Sequence, residues 1–177
     1  MINKKIEDAV NGQINAEMYS GYLYLSMSAY FQSRGLKGFA HWMEIQAGEE
    51  FAHARKFYNY LFDRGGRVVL KQIENPPADW KSPENVFDEV YRHEQKVTGL
   101  INELVNLAIA EKDHATNNML QWFVAEQVEE ENTALTILDE LKLIGNDGNG
   151  LLMKDRELGA RMLNMLLFTG LATGAGA

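Results

Sequence analysis

Proline is confined to one short window of this 177-residue chain, which holds Pro76, Pro77 and Pro83. Inside a helix, proline removes a backbone donor and clashes with the preceding turn, so it breaks helices where it occurs. The long stretches on either side of the window contain none and can be helical throughout. The placement of the prolines therefore predicts an all-α fold, with two helical halves joined by one connection.

Capping and stop signals divide the two halves into separate helices. Ser82 precedes Pro83, which is typical of a helix start, and Gly65-Gly66 is typical of a helix end. A short fifth helix is expected to begin near Leu151. These signals predict four long helices, at about Lys5–Ser33, Gly38–Asp63, Ser82–Glu111 and Asp113–Ile144.

The lengths of the links restrict the topology. The first and third links are only a few residues long, so each joins its two helices as an antiparallel hairpin. The middle link has about 18 residues and can cross the length of a helix of roughly 40 Å in extended form. Two hairpins joined by one long crossover form a four-helix bundle.

The charge and composition exclude several classes of function. The formal net charge is -8, which argues against a nucleic-acid partner because phosphate binding needs a basic face. The chain has no cysteine, which excludes disulfides, thiolate metal sites and iron–sulfur clusters and suits a reducing cytosol. The first residues lack the apolar core of a secretory signal. We therefore expect a cytoplasmic protein without a membrane or nucleic-acid partner.

Four glutamates interrupt the apolar stripes of the predicted helices. Residues seven apart lie on nearly the same helix face. Glu17, Glu50, Glu94 and Glu130 each have an apolar residue seven positions before and seven after. Each long helix therefore places one glutamate where a core side chain is expected. His53 follows Glu50 by three residues, so their side chains can converge on one ion.

Buried carboxylates without partners are very costly, and four of them together would repel and take up protons. A multivalent cation removes both problems. Oxygen-rich ligands with one or two imidazoles suit iron, with zinc and manganese also possible. Each glutamate alone is more typical of a solvated face, as is the charged run at Glu126–Asn132. The register of all four favours a metal site.

Four segments resemble the bacterial and archaeal non-haem ferritins: Ile14–Met27, Glu49–His53, Glu94 and Trp122–Glu131. The resemblance covers about residues 3–158. It implies a ferritin-like four-helix bundle with a short C-terminal fifth helix. It also implies a ferroxidase that oxidises Fe(II) with O2 and stores ferric mineral in a homo-oligomeric cage, in most members of 24 subunits.

The resemblance also implies a di-iron centre inside each subunit. Glu17, Glu50 and His53 match the ligands of the first iron. Glu50, Glu94 and Glu130 match those of the second, so that Glu50 would bridge the pair.

A third iron site is also implied, beside the first two. Its matching residues are Glu49, Glu126, Glu129 and Glu130. Tyr24 and Gln127 match a tyrosine and a glutamine that lie next to the irons in the family. An ordinary core role remains open for both of these residues.

Departures from related families narrow the prediction. Haem-binding bacterioferritins carry a methionine directly after the bridging glutamate, where this chain has Phe51, so no haem is expected. A helical di-iron oxygenase or oxidase acting on another substrate is the alternative. It usually carries two E-x-x-H motifs, whereas here the second position holds Glu126-x-x-Glu129. A scaffold subunit with a degenerate site would have lost ligands, and none is lost.

The end of the sequence differs most from the family. We expect residues 1–161 to form the bundle with the start of the fifth helix, and Met162–Ala177 to form an apolar tail. Packing of the tail inside the cage and docking onto a partner both remain open. Self-packing is favoured, with disorder from about Thr173. Apolar residues recur in the tail at helical spacing, at Met162, Leu163, Leu166, Leu167 and Leu171.

Overall fold

The computed structural model describes residues 2–163, which form five α-helices and no strand. These are α1 (Lys4–Ser33), α2 (Lys37–Asp63), α3 (Pro83–Ala110), α4 (His114–Ile144) and α5 (Gly148–Leu158). The four long helices lie where the sequence predicts them, and α5 begins three residues before Leu151. No helix in this part of the chain has both the length and the apolar character needed to cross a membrane.

Two of the helix starts carry side-chain caps, at the predicted Ser82 and at Asp113. The Ser82 hydroxyl accepts a hydrogen bond from the Asn85 amide at 3.1 Å, directly before Pro83. The Asp113 carboxylate accepts one from the Thr116 amide at 3.0 Å. Each cap satisfies an amide that the first turn leaves without a helical partner. After α2, Gly65 has a φ of 68°, the left-handed conformation that favours glycine at a helix end.

The described residues divide into two compact units. One joins residues 2–10 to Trp80–Asp147, and the other joins Asn11–Asp79 to residues 148–163. In the first unit, α3 and α4 pack along each other as a hairpin. Their buried faces repeat every seven residues, at Phe87, Glu94 and Ile101 on α3 and at Phe123, Glu130 and Ile137 on α4.

In the second unit, the long connection between α2 and α3 is tied to α1 by side chains. Asn11 donates from its amide to the Arg67 carbonyl at 2.9 Å and accepts from the Val69 amide at 2.7 Å. Asn15 donates to the Gln72 carbonyl at 3.1 Å. Since residues 2–163 contain no strand, the backbone of this segment is not paired in a sheet there, and α1 side chains supply hydrogen bonds to it.

The start of α2 is capped from a distant part of the sequence. Leu36, at the N-cap, makes no side-chain cap hydrogen bond. Instead, Asp155 of α5 accepts from the backbone amides of Gly38 at 2.8 Å and Phe39 at 3.1 Å. A Cβ at Gly38 would lie 1.6 Å from the Asp155 carbonyl oxygen, so only glycine permits this approach.

The expectations for the apolar tail fall almost entirely outside the described residues. Met162 and Leu163 are described, and both are exposed and non-helical. The predicted self-packing of the tail and the predicted disorder from about Thr173 concern mainly residues 164–177, so both stay predictions.

We predict that Asn11→Ala destabilises the attachment of the long connection by about 1–3 kcal/mol, because it leaves the Val69 amide and the Arg67 carbonyl without this partner. Hydrogen exchange at the Val69 amide should accelerate accordingly. Asn15→Ala is the matched control, since its hydrogen bond to Gln72 is exposed to water and should matter less. Unchanged protection of Val69 in Asn11→Ala would contradict this account.

Candidate metal centre

Three buried side chains that can bind a metal ion come together in the second unit. Glu17 of α1 and Glu50 and His53 of α2 each offer one ligand atom, and these atoms lie within 4.8 Å of one another. All three residues are only 1–2% exposed. The spacing of three on α2 brings His53 Nδ1 to 3.6 Å from Glu50 Oε2. The structure therefore assembles the three residues that the sequence assigned to a first iron.

Two glutamines orient the carboxylates of this group. Gln13 Nε2 donates to Glu17 Oε1 at 2.8 Å, and Gln46 Nε2 donates to Glu50 Oε1 at 3.4 Å. Each glutamine precedes its glutamate by four residues, one helical turn. A neutral amide fixes the direction of a carboxylate without cancelling its charge, so the charge remains available to a cation. Sequence reasoning missed both glutamines, although their spacing is visible in the sequence.

The group is electrostatically incomplete by itself. Burial, together with the neighbouring Glu50 carboxylate, raises the pKa of Glu17 well above its usual value. Glu17 Oε2 is also buried, and within residues 2–163 it has no hydrogen-bond partner. Such a carboxylate must hold either a proton or a cation. A divalent ion ligated by Glu17, Glu50 and His53 would satisfy it and release the proton.

In the first unit, a chain of hydrogen bonds leads to the buried Glu94. Gln127 Nε2 donates to Glu94 Oε2 at 3.2 Å and lies 3.4 Å from Thr98 Oγ1. The Thr98 hydroxyl donates to Glu131 Oε1 at 2.5 Å. The Thr98 hydroxyl uses its hydrogen for the bond to Glu131, so its lone pairs remain available to the Gln127 amide. Thr98 and Glu131 therefore fix which end of Gln127 faces Glu94.

A cavity of about 410 Å³ lies beside these hydrogen bonds, between α3 and α4. Thr98, Gln127 and Glu131 supply polar groups to its wall, and Ile101 and Val124 are among its apolar lining. Small solutes in the cavity therefore reach the side chains that orient Glu94.

The residues assigned to a third iron differ in their exposure. Glu49 and Glu130 are buried, Glu126 is half-buried and Glu129 is exposed. Glu49 already holds a cation, because its Oε2 accepts from Arg161 Nη2 at 2.5 Å. Sequence reasoning missed Arg161, which lies 112 positions from Glu49 and carries no local signal of this contact.

Tyr24 is fully buried on α1. Its ring meets the Trp42 ring edge to face, with the centroids 6.5 Å apart. This packing explains Tyr24 as a core aromatic, and a role beside iron stays a prediction.

Comparisons with known proteins agree with the fold. Residues 7–144 match the Ferritin-like domain family. The chain is 47% identical to a bacterial non-heme ferritin of Bacteroides fragilis (strain 638R) over 161 residues, covering 91% of this chain and 100% of that protein. It is 42% identical to a probable bacterial non-heme ferritin-like protein of Haemophilus influenzae, over 90% and 96% of the two chains.

A solved open-pore ferritin from the hyperthermophilic archaeon Archaeoglobus fulgidus is also similar. It shares 54% identity and a TM-score of 0.91, over 92% of this chain and 100% of that chain. This similarity confirms the expected ferritin-like four-helix fold with a short C-terminal helix.

Thr98→Val keeps the shape of the side chain but removes both hydrogen bonds. We predict that it weakens Zn(II) binding at the predicted second iron site, to which Glu94 is assigned, by about tenfold. Calorimetric titration of the metal-free protein measures this. Thr98→Ser retains the hydroxyl and should restore binding. Equal affinities for the valine and serine variants would show that the chain from Glu131 to Glu94 has no orienting role.

Proposed function

The chain belongs to the ferritin family, and from this membership we propose that it oxidises Fe(II) with O2 and stores the ferric product. The observation that carries the proposal is the buried convergence of Glu17, Glu50 and His53. Two adjacent carboxylates are costly to bury among apolar side chains unless a cation compensates them, and burial raises the pKa of Glu17. Iron is the substrate and the stored cargo.

The proposed residue roles are those that the resemblance to the family implies. Glu17, Glu50 and His53 bind one iron, and Glu50 also serves the second iron together with Glu94 and Glu130. Carboxylate oxygens are hard ligands that favour Fe(III) over Fe(II), so the bound Fe(II) more readily gives its electron to O2. Gln13 and Gln46 hold two of the carboxylates in position. No side chain has to act as a nucleophile.

A third iron is proposed at Glu49, Glu126, Glu129 and Glu130. The resemblance supports it by assigning all four residues to one site, of which Glu49 and Glu130 are buried, Glu126 is half-buried and Glu129 is exposed. Haem is not part of the proposal, because Phe51 occupies the position of the haem-binding methionine.

Storage requires a closed shell, since a single subunit cannot enclose a mineral. Closed symmetric assemblies satisfy each repeated interface at once. The similar Archaeoglobus fulgidus protein is described as an open-pore ferritin and has been engineered into a closed form. The resemblance implies 24 subunits, as in most members of the family, and we extend the proposal to a homo-oligomeric cage of 24 copies. Family membership also weighs against the alternative of a di-iron oxygenase acting on an organic substrate.

Replacing Glu50 tests the ferroxidase centre. We expect Glu50→Ala to slow rapid Fe(III) formation by about 100-fold or more, because it removes a ligand common to both irons. Stopped-flow absorbance after mixing Fe(II) with aerated protein gives the rate, and circular dichroism checks the helices. Glu103→Ala, at an exposed glutamate of α3, is the control and should keep the full rate. Fast oxidation in Glu50→Ala would rule out this centre.

Light scattering tests the cage. Twenty-four copies of the 20.1 kDa chain give a particle of about 480 kDa. A stable monomer or dimer at physiological salt would argue against storage and in favour of an oxygenase.

A further inference from the structure

Arg161, just beyond α5, places a guanidinium group on a carboxylate next to the metal-binding group. Its Nη2 donates to Glu49 Oε2 at 2.5 Å, and the Glu49 side chain is 8% exposed. Glu49 directly precedes Glu50, which belongs to the group with Glu17 and His53. An ion pair with one partner this well buried is held firmly, because separating it leaves a carboxylate without compensation.

Three further contacts hold Arg161 in this position. Its Nη1 donates to Gln46 Oε1 at 2.8 Å, and its guanidinium lies over the Trp42 ring at 4.6 Å from the centroid. Its carbonyl oxygen lies 2.9 Å from His41 Nε2. Gln46 is also the residue that donates to Glu50. Arg161 therefore touches the same side chain that orients a ligand of the metal group.

We propose that Arg161 competes with iron for Glu49. The guanidinium must leave Glu49 before a third cation binds there. The inference rests on the proposed function, and it makes cation binding at the third iron site dependent on the position of Arg161. A guanidinium on Glu49 repels any cation that approaches the same carboxylate, and it occupies one of the two oxygens. While Arg161 stays in place, Glu49 contributes no net negative charge to its surroundings.

Two consequences follow from the competition. Iron fills the centre containing Glu17, Glu50 and His53 first, because Arg161 opposes only the cation that approaches Glu49. The third cation binds later and more weakly, and it displaces the guanidinium from both Glu49 and Trp42. A trivalent ion attracts the carboxylate more strongly than a divalent ion does, so Fe(III) displaces Arg161 more readily than Fe(II).

The fluorescence of Trp42 can detect the displacement of the guanidinium in a protein that keeps Arg161. Zn(II) is the probe, because it is redox-inert and does not quench fluorescence by paramagnetism. The signal of Trp42 is the difference between the unmodified protein and its Trp42→Phe variant, which keeps an aromatic ring under the guanidinium. We expect this difference to change little over the first two equivalents of Zn(II) per chain and to change with the third.

Variants of the ion pair provide the affinity test. Arg161→Gln keeps an amide donor for Gln46 but removes the charge, and it should tighten the third equivalent by about tenfold or more while leaving the first two unchanged. Arg161→Lys keeps the charge and should bind the third equivalent as the unmodified protein does. Glu49→Gln keeps an acceptor for Arg161 but loses the ligand charge, so it should lose the third equivalent alone.

The outcomes separate this inference from the function on which it rests. If the unmodified protein fails to bind the first two equivalents, the proposed function falls, and the competition falls with it. If the first two bind but Arg161→Gln does not tighten the third, the competition alone is overturned. A Trp42 response that follows the first two equivalents, or a third equivalent that persists in Glu49→Gln, would also overturn it.

Discussion

The rest of this structure depends on one constraint, the burial of glutamate carboxylates among apolar side chains. Glu17, Glu50 and Glu94 lie at positions where the helix pattern calls for core residues, and all three are buried. Long helices with regular hydrogen bonding can hold such residues in fixed places, because the backbone needs nothing further from the side chains. The interior then provides two kinds of partner: amides that orient the carboxylates and a guanidinium that neutralises Glu49. Where neither suffices, the proposed metal ion would complete the group.

The two units hold their carboxylates in different ways. In the second unit, Glu17 and Glu50 each have a glutamine one turn earlier on the same helix. In the first unit, the glutamine for Glu94 comes from the neighbouring helix, and its direction is set by Thr98. The first arrangement depends only on helix geometry, whereas the second depends on the packing of α3 against α4. The orientation of Glu94 is therefore sensitive to changes between these helices.

The sequence predicts the parts of this protein that local chemistry determines. The caps at Ser82 and Asp113 act within one turn, so the starts of α3 and α4 follow from a few neighbouring residues. The period of seven predicts the burial of the four glutamates, because a helix repeats its face at that spacing. Contacts between distant residues carry no such pattern. The Asp155 cap on α2 and the Arg161 pair with Glu49 join positions more than one hundred residues apart, and only the folded chain shows them.

The contact between Gly38 and Asp155 also has a mechanical meaning. The backbone of α5 lies against Gly38, and the Asp155 carboxylate accepts from two amides of the same turn of α2, so the two segments are joined without a flexible layer between their backbones. A force applied to α5 therefore passes into α2, the helix that carries Glu50 and His53. A displacement of α5 therefore moves the helix that carries two of the candidate metal ligands, and the two segments respond to load as one body.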